Sequence, residues 1–372
     1  MALDASLLSP RRLAARLTEG IDAPLFTIAL ALSLLGLATL FSATMENPAR
    51  LTAQVANLGV ALIAMWMVSR IPPQTLMRFA VPAYLAGVAL LVAVALYGDR
   101  VNNAQRWLHV GVTRFQPSEV MKLALPLALA WYFHHRETAP RLRDFAFAGL
   151  LFIVPVLLIA RQPDLGTAVL VAAVGFYVIF FAGVGWKLLT ALGVLGAASL
   201  FPLWGMLHEY QRKRILTLID PTQDPLGAGY HTIQSTIAVG SGGLTGKGWL
   251  HGTQTHLEFI PEGHTDFIFA VFSEEFGLAG NVLLLVLYAL LIGRGLMIAA
   301  NAATVFARLL AAAITLMFFT YAFVNMGMVA GILPVVGVPL PFISYGGTAL
   351  LTLFVGIGIL MSVHRHRRLV QT

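Results

Sequence analysis

The residues best placed to do chemistry gather around Asp266. In EFIPEGHTDFIFAVFSEEFG, residues 258 to 277, His264 and Asp266 stand at the mouth of an apolar run, and Glu274 and Glu275 follow within it. A carboxylate held partly out of water at a membrane boundary has its pKa raised toward neutrality, where it can accept a proton usefully. A base so placed suits a substrate tethered to lipid. The plainer role open to Asp266 is a helix N-cap, for which Asp is a favoured residue. Glu274 and Glu275 are adjacent and point in different directions, so at most one faces the same space as Asp266.

Three other stretches combine reactive types with unusual spacing. YGDRVNNAQRWLHVGVTRFQPSEVMK carries Arg100, Arg106 and Arg114, then delivers Gln116, Ser118, Glu119 and Lys122 to the head of an apolar segment. Glu119 and Lys122 are three apart and share a helix face, and an ionisable pair at membrane depth should face protein or a wet cavity. The alternative is an interfacial loop, with Trp107 in the aromatic belt and the arginines on lipid headgroups. GSGGLTGKG, with Lys247, could cradle a phosphate on backbone N–H groups, although its spacing is not that of a P-loop and a flexible turn has the same composition. GILPVVGVPLPFISYGG brings Pro334, Pro339, Pro341, Ser344, Tyr345, Gly346 and Gly347 to the head of the last apolar segment. Broken backbone at membrane depth is tolerated only where protein or water satisfies it, so these residues read as a cavity lining, or else as a kinked helix start.

The elements that must position these groups are membrane helices. A chain of 372 residues that is 58% hydrophobic and only 11% charged, with a mean hydropathy of +0.81, lies far from soluble composition. The expected class is all-α and polytopic, with about ten spans of some 20 residues each: 25–43, 53–71, 79–97, 119–134, 145–160, 165–182, 187–205, 267–293, 303–326 and 341–363. The fifth and sixth, separated only by RQPD, could be one broken element. Arg11, Arg12, Arg16, Arg70, Arg78, Arg136, Arg141, Arg143, Lys187, Arg294, Arg365, Arg367 and Arg368 all fall on one side of this arrangement. The positive-inside rule then puts both termini, including residues 1–24, in the cytoplasm and 98–118, 206–266 and 327–340 outside. The large outer loop, 206–266, lies between the seventh and eighth spans.

Several functions are excluded or given no support. There is no cysteine, hence no disulfide, thiolate nucleophile or zinc-thiolate site. The net charge of +7 is ordinary for a positive-inside protein, and no basic run with interleaved aromatics points to nucleic acid. No removable signal peptide is expected in the first 24 residues, and no repeat or linker divides the chain, which reads as one domain over 1–372. Composition suits a transporter or flippase with broken helices, a non-catalytic scaffold, or an enzyme acting at the outer surface. A transporter wants its polar residues near the midplane; here they collect at the outer ends of the spans.

RWLHVGVTRFQPSEVMK, QSTIAVGSGGLTGKG, PEGHTDFIFAVFSEEFG and GILPVVGVPLPFISYGG resemble, in this order and across nearly the whole chain, the SEDS family of shape, elongation, division and sporulation proteins, and its elongation branch more than its division branch. The resemblance implies a ten-span glycosyltransferase of the bacterial cytoplasmic membrane, acting on the periplasmic side. It would polymerise lipid II onto an undecaprenyl-linked glycan strand, beside a class B penicillin-binding protein and other membrane proteins of the elongation complex. It also implies that Asp266 is the essential aspartate and that Trp107, Glu119 and Lys122 match family positions. Asn103 stands where a glycine is common, and Gly263 where a larger residue, often arginine, is common.

In that reaction Asp266 would take the proton of the acceptor GlcNAc 4-hydroxyl, whose oxygen displaces the lipid diphosphate from the donor MurNAc with inversion. A leaving group that is already a stable anion calls for cations rather than an acid. Arg106, Lys122, Arg212, Arg214 and Lys247 are the candidate diphosphate contacts, with a divalent cation, Mg2+ or Mn2+, and no organic cofactor. Gln234, Ser241, His264, Ser344 and Tyr345 complete the candidate substrate-binding set.

Overall fold

The structure is a computed structural model and describes residues 20–367, apart from 45–46, 102–103, 111–112, 137–139, 207–211, 213–215, 219, 224–227, 258 and 261. Arg214 and Asn103 therefore lie outside the described residues. The helices run α1 (Ala23–Ala43), α2 (Pro48–Ser69), α3 (Pro73–Tyr97), α4 (Pro117–His134), α5 (Leu142–Ala160), α6 (Leu165–Phe181), α7 (Trp186–Met206), α8 (Ala228–Ser241), α9 (Thr253–His256), α10 (Ile268–Ala300), α11 (Val305–Val329) and α12 (Gly347–Arg365). Proline opens α2, α3 and α4, where its missing N–H costs nothing and its fixed φ suits the first turn.

Each of the ten expected stretches coincides with one of these helices. Seven are long and apolar enough to cross a membrane: α1, α2, α3, α5, α10, α11 and α12. In α4 the pair Glu119 and Lys122 occupies the first two turns, while α6 and the apolar part of α7 are shorter. The RQPD break separates two helices, with Asp164 capping the second by accepting the Thr167 N–H at 3.2 Å. The last helix begins at Gly347 rather than 341, because Leu340, Ser344 and Gly346 are tied into a turn ahead of it.

One segment departs from an all-helical chain. Between α3 and α4 runs an antiparallel meander of β1 (Asp99–Val101), β2 (Ala104–Val110) and β3 (Thr113–Phe115), in that order across the sheet. Trp107 pairs with Asp99 and Leu108 with Phe115, which holds Arg106 and Trp107 on a stiff arm above the head of α4.

Packing centres on α11. Its residues are buried along most of its length, as are those of α4 and α12, and α11 packs against α10, α6 and α4. Outer helices expose apolar rows instead: Val60 and Ile63 on α2, Phe79 and Leu85 on α3. In a bilayer these rows meet acyl chains and cost nothing. Residues on every side of α7 are exposed, which leaves that helix without an extensive neighbour among the described residues.

The glycine-rich segment after α8 plugs a break in α10. Gly277 takes φ 62 and ψ −159, a conformation open to glycine and strained for other residues. Such a break frees backbone groups that must be satisfied elsewhere. Here the N–H groups of Lys247 and Gly248 donate to the carbonyls of Glu274 and Glu275, both at 3.0 Å, and the N–H groups of Leu278 and Ala279 donate to the carbonyls of Gly243 and Leu244, at 2.9 and 3.0 Å. The two side chains fasten the same segment. Glu274, fully buried, accepts from Lys247 Nζ at 2.6 Å, Gln254 N–H at 2.9 Å and the Thr255 hydroxyl at 3.1 Å. Glu275 accepts from the Ser42 hydroxyl and from Leu250 N–H. The Lys247 and Gly248 N–H groups and the Lys247 ammonium, which could have met a phosphate, are thus spent on the broken helix, and Glu274 and Glu275 anchor the loop.

Candidate active site

Two backbone segments, 262–267 and 338–346, meet at the head of α10. Ser344 Oγ donates to the Thr265 carbonyl and accepts the Leu340 N–H, both at 2.7 Å, and Tyr345 N–H donates to the His264 carbonyl at 3.0 Å. Gln54, a buried amide on α2, bonds both the Ser344 carbonyl and the Gly346 N–H at 3.2 Å. Asn325 on α11 shows no exposure and donates to the carbonyls of Asp266 and Val338, each at 2.7 Å. Glu262 (φ 52) and Phe342 (φ 66) hold left-handed conformations on either side of the junction, a cost that persists only where surrounding contacts enforce it.

This lacing presents Asp266 to a cavity of about 510 Å³. Gly337 forms the facing wall: its φ is 73, and a Cβ there would lie 3.2 Å from Asp266 Oδ2. The N-cap position of α10 is Phe267, so the plainer role weighed for Asp266, that of helix cap, does not apply. His264, beside it, lies against Tyr345 with the rings tilted by 50° and their centroids 6.1 Å apart. Burial pushes its imidazole below the usual histidine range, Arg50 adds to this, and Glu262 opposes it.

The first turns of α4 supply further charges. Lys122 Nζ donates to Glu119 Oε1 at 2.6 Å and also to the Tyr321 hydroxyl of α11. Lys122 is 1% and Glu119 6% exposed, and Glu119 Oε2 has no hydrogen-bond partner among the described residues. A buried pair of this kind is retained only with close geometry, and losing either member strands the other.

Asp164 organises the remaining charges. Besides capping α6, its carboxylate accepts from Gln116 Nε2 at 2.9 Å and lies 3.8 Å from Arg106 Nη1. Arg106 keeps Nε buried and without a hydrogen-bond partner among the described residues. The cavity thus holds three carboxylates, Glu119, Asp164 and Asp266, against two cations, Lys122 and Arg106. Among the described residues no group of three or more His, Cys, Asp or Glu side chains could hold a metal ion.

Of the residues singled out in the sequence, Arg106, Trp107, Glu119, Lys122, Asp266 and Tyr345 line this cavity. Ser344 and His264 hold its wall through the bonds just given. Four others sit elsewhere. Lys247 is committed to Glu274 and Thr253, and Arg212 donates to the Gly205 carbonyl at 2.8 Å. Ser241 donates to Ala238 within its own helix; Gln234, also on α8, does not line the cavity. Gln116, singled out in the same stretch, also lines it, and the structure adds Asp164, Tyr321, Asn325 and Gln54. Asp164 lies in the four-residue break between two apolar runs, a signal in itself; the two amides, Asn325 and Gln54, are single polar residues in apolar helices, which at membrane depth mark interhelical bonding.

Fold and site together define a polytopic helical membrane protein with a charged cavity at one end of its bundle. Its carboxylates and cations sit at helix starts and in the loops before them, whereas a transporter would gather them at mid-span. The chain belongs to the FtsW/RodA/SpoVE family, whose model, described as "Cell cycle protein", matches residues 22–369. It is 49% identical over 351 residues to "Peptidoglycan glycosyltransferase MrdB" of Escherichia coli K12, covering 94% of this chain and 95% of that one. Identity to "Peptidoglycan glycosyltransferase RodA" of Treponema pallidum is 32%, over 83% of this chain and 88% of the relative. A solved structure described as "Structural coordination of polymerization and crosslinking by a peptidoglycan synthase complex" superposes with a TM-score of 0.82 at 36% identity, covering 93% of this chain and 98% of that one. The crystal structure of Thermus thermophilus rod shape determining protein RodA superposes with a TM-score of 0.72 at 31% identity, over 93% and 97%.

Proposed function

We propose that Asp266 is the general base of a peptidoglycan glycosyltransferase that extends glycan strands from lipid II. The activity is the one named for the Escherichia coli and Treponema pallidum relatives. The observation that carries the assignment is the Asp266 carboxylate on the wall of a cavity shared with Arg106 and the Glu119–Lys122 pair. Asp266 takes the proton from the acceptor GlcNAc 4-hydroxyl as that oxygen bonds to the anomeric carbon of the donor MurNAc. The bond to the lipid diphosphate breaks, the diphosphate leaves with the electron pair, and the anomeric centre inverts.

Arg106 is the side chain best placed to meet the departing charge, because its Nε has no hydrogen-bond partner among the described residues and Asp164 orients its guanidinium. Lys122 adds positive potential while bound to Glu119 and Tyr321. Preorganised cations of this kind stabilise charge as it develops. A divalent cation, Mg2+ or Mn2+, would come with the diphosphate, whose oxygens supply most of the ligands such an ion prefers. Trp107 and Tyr345 offer apolar faces to the sugars.

The multi-pass fold places the chain in the bacterial cytoplasmic membrane. The basic loops, the start of α1 and the end of α12 lie at the end of the bundle away from the cavity; this supports cytoplasmic termini and a periplasmic site. The likeness to a structure of a synthase complex supports a crosslinking penicillin-binding protein as its partner.

The test is polymerisation of labelled lipid II by purified protein, read by gel. Native protein should give long strands. Asp266→Ala should lose them by a factor of about 10²–10⁴, the span of general-base contributions. Strands of native length from folded Asp266→Ala would refute the assignment.

A further inference from the structure

At the end of the bundle away from Asp266, α4 and α5 part around a surface cavity of about 560 Å³ that glycosyl transfer does not use. Among the described residues that line it, the basic side chains are His135, Arg136 and Arg143 and the acid is Asp144. Asp144 is already engaged, accepting the Arg141 N–H at 2.9 Å and the Tyr132 hydroxyl at 3.2 Å and lying 3.3 Å from Arg136 Nε. Arg136 lies over the Tyr132 ring, 4.4 Å from its centroid, which fixes its guanidinium in place. Arg143 is exposed and makes no hydrogen bond or ion pair among the described residues. Among the described residues Arg136 and Arg143 thus face one acid, Asp144, which pairs with Arg136, so Arg143 leaves the cavity an excess of positive charge.

Its second property is an apolar track leading away from it. On α5, Arg143 heads a row at helical spacing made of Phe147, Leu150 and Leu157, exposed by 48%, 56% and 56%. Phe147 belongs both to this row and to the cavity wall. A row of this kind on a membrane-spanning helix faces acyl chains.

We propose that this cavity binds one anionic glycerophospholipid, with the phosphate between Arg136 and Arg143 and an acyl chain along Phe147, Leu150 and Leu157. The charge sets the sign of the ligand, since basic pockets at membrane surfaces hold acidic headgroups. The track sets its class, because a soluble anion would use the arginines and leave the aromatic wall and the α5 row uncovered.

The test is thermal unfolding of the full-length protein in detergent, titrated with phosphatidylglycerol, phosphatidylcholine or inorganic phosphate. Phosphatidylglycerol should raise the unfolding midpoint by a few degrees, as a ligand of the folded state must; phosphatidylcholine and inorganic phosphate should not. Arg143→Gln, at an exposed and unpaired position, should fold normally and bind phosphatidylglycerol roughly fivefold more weakly. Equal shifts from phosphatidylcholine, an equal shift from inorganic phosphate, or an undiminished response of Arg143→Gln would each overturn the proposal.

Discussion

Asp266 is held by its backbone as much as by its side chain. Asn325 bonds the Asp266 and Val338 carbonyls together without itself lining the cavity. Asn325→Ala leaves two buried carbonyls unpaired at about 1–3 kcal/mol apiece, and the base is free to shift. Steady-state polymerisation should then show a fall in kcat with little change in the KM for lipid II; a raised KM at native kcat would mean that Asn325 acts in binding instead. Gly337→Ala probes the same site from the other side. The φ of 73 strains any L-residue, and the new methyl group presses on the Asp266 carboxylate. We expect about 1 kcal/mol of lost stability and a loss of turnover out of proportion to it, measured by unfolding and strand synthesis on the same preparation. Sequence revealed Asp266, Glu119, Lys122 and Tyr345 because charge and polarity stand out in an apolar chain. It did not reveal what Asn325 and Gln54 do, since an amide's partners are backbone carbonyls and N–H groups that only the folded chain brings near.

At the scale of elements, the join between α10 and the loop before α9 is the least expected feature. Lys247 and Glu274 are 27 residues apart and bond at 2.6 Å; Glu274 has no exposure, whereas the Lys247 side chain keeps 27%. Lys247→Ala therefore removes the counter-ion of a buried carboxylate that keeps its bonds from Gln254 and Thr255, a loss of about 1–3 kcal/mol. Lys247→Ala combined with Glu274→Gln should recover part of that loss. Thermal unfolding of the single and double variants measures the coupling, and an unchanged midpoint for Lys247→Ala would show that the join carries no stability. The helix positions were legible, since long apolar stretches at membrane depth have few other ways to satisfy their backbone. The glycine run was not, because the groups it serves become available only when α10 breaks at Gly277, and nothing in SEEFGLAG marks that glycine as a break. The short β-meander was hidden because β1 and β3 are three residues each and AQRWLHV of β2 does not alternate apolar with polar.

Over the whole molecule, the first and last helices are fastened to each other and to α10 at the face away from the cavity. Asp22, the cap of α1, receives two hydrogen bonds from Arg294 of α10 at 3.0 and 2.5 Å and lies 3.4 Å from His364 of α12. Burial pushes the Asp22 carboxyl up, but the bonds from Arg294 and the Leu25 N–H outweigh it and hold the carboxyl below its ordinary value of 3.8. A carboxyl depressed in the folded state stabilises fully above its unfolded pKa and loses that contribution as pH falls through the folded one. Native protein should therefore lose thermal stability below about pH 4 more steeply than Asp22→Asn, in a pH series of unfolding midpoints; parallel curves would show that the cluster contributes nothing. These three residues span nearly the whole chain, and helix adjacency of this sort has no local signature. The central claim is that Asp266 moves a proton rather than merely holding substrate. The most direct measurement compares lipid II binding and single-turnover strand extension for native protein and Asp266→Asn, which keeps size and hydrogen bonding but removes basicity. The account predicts affinity within about threefold and extension reduced at least about 100-fold; a loss of affinity that accounts for the whole defect, or extension at the native rate, would contradict it.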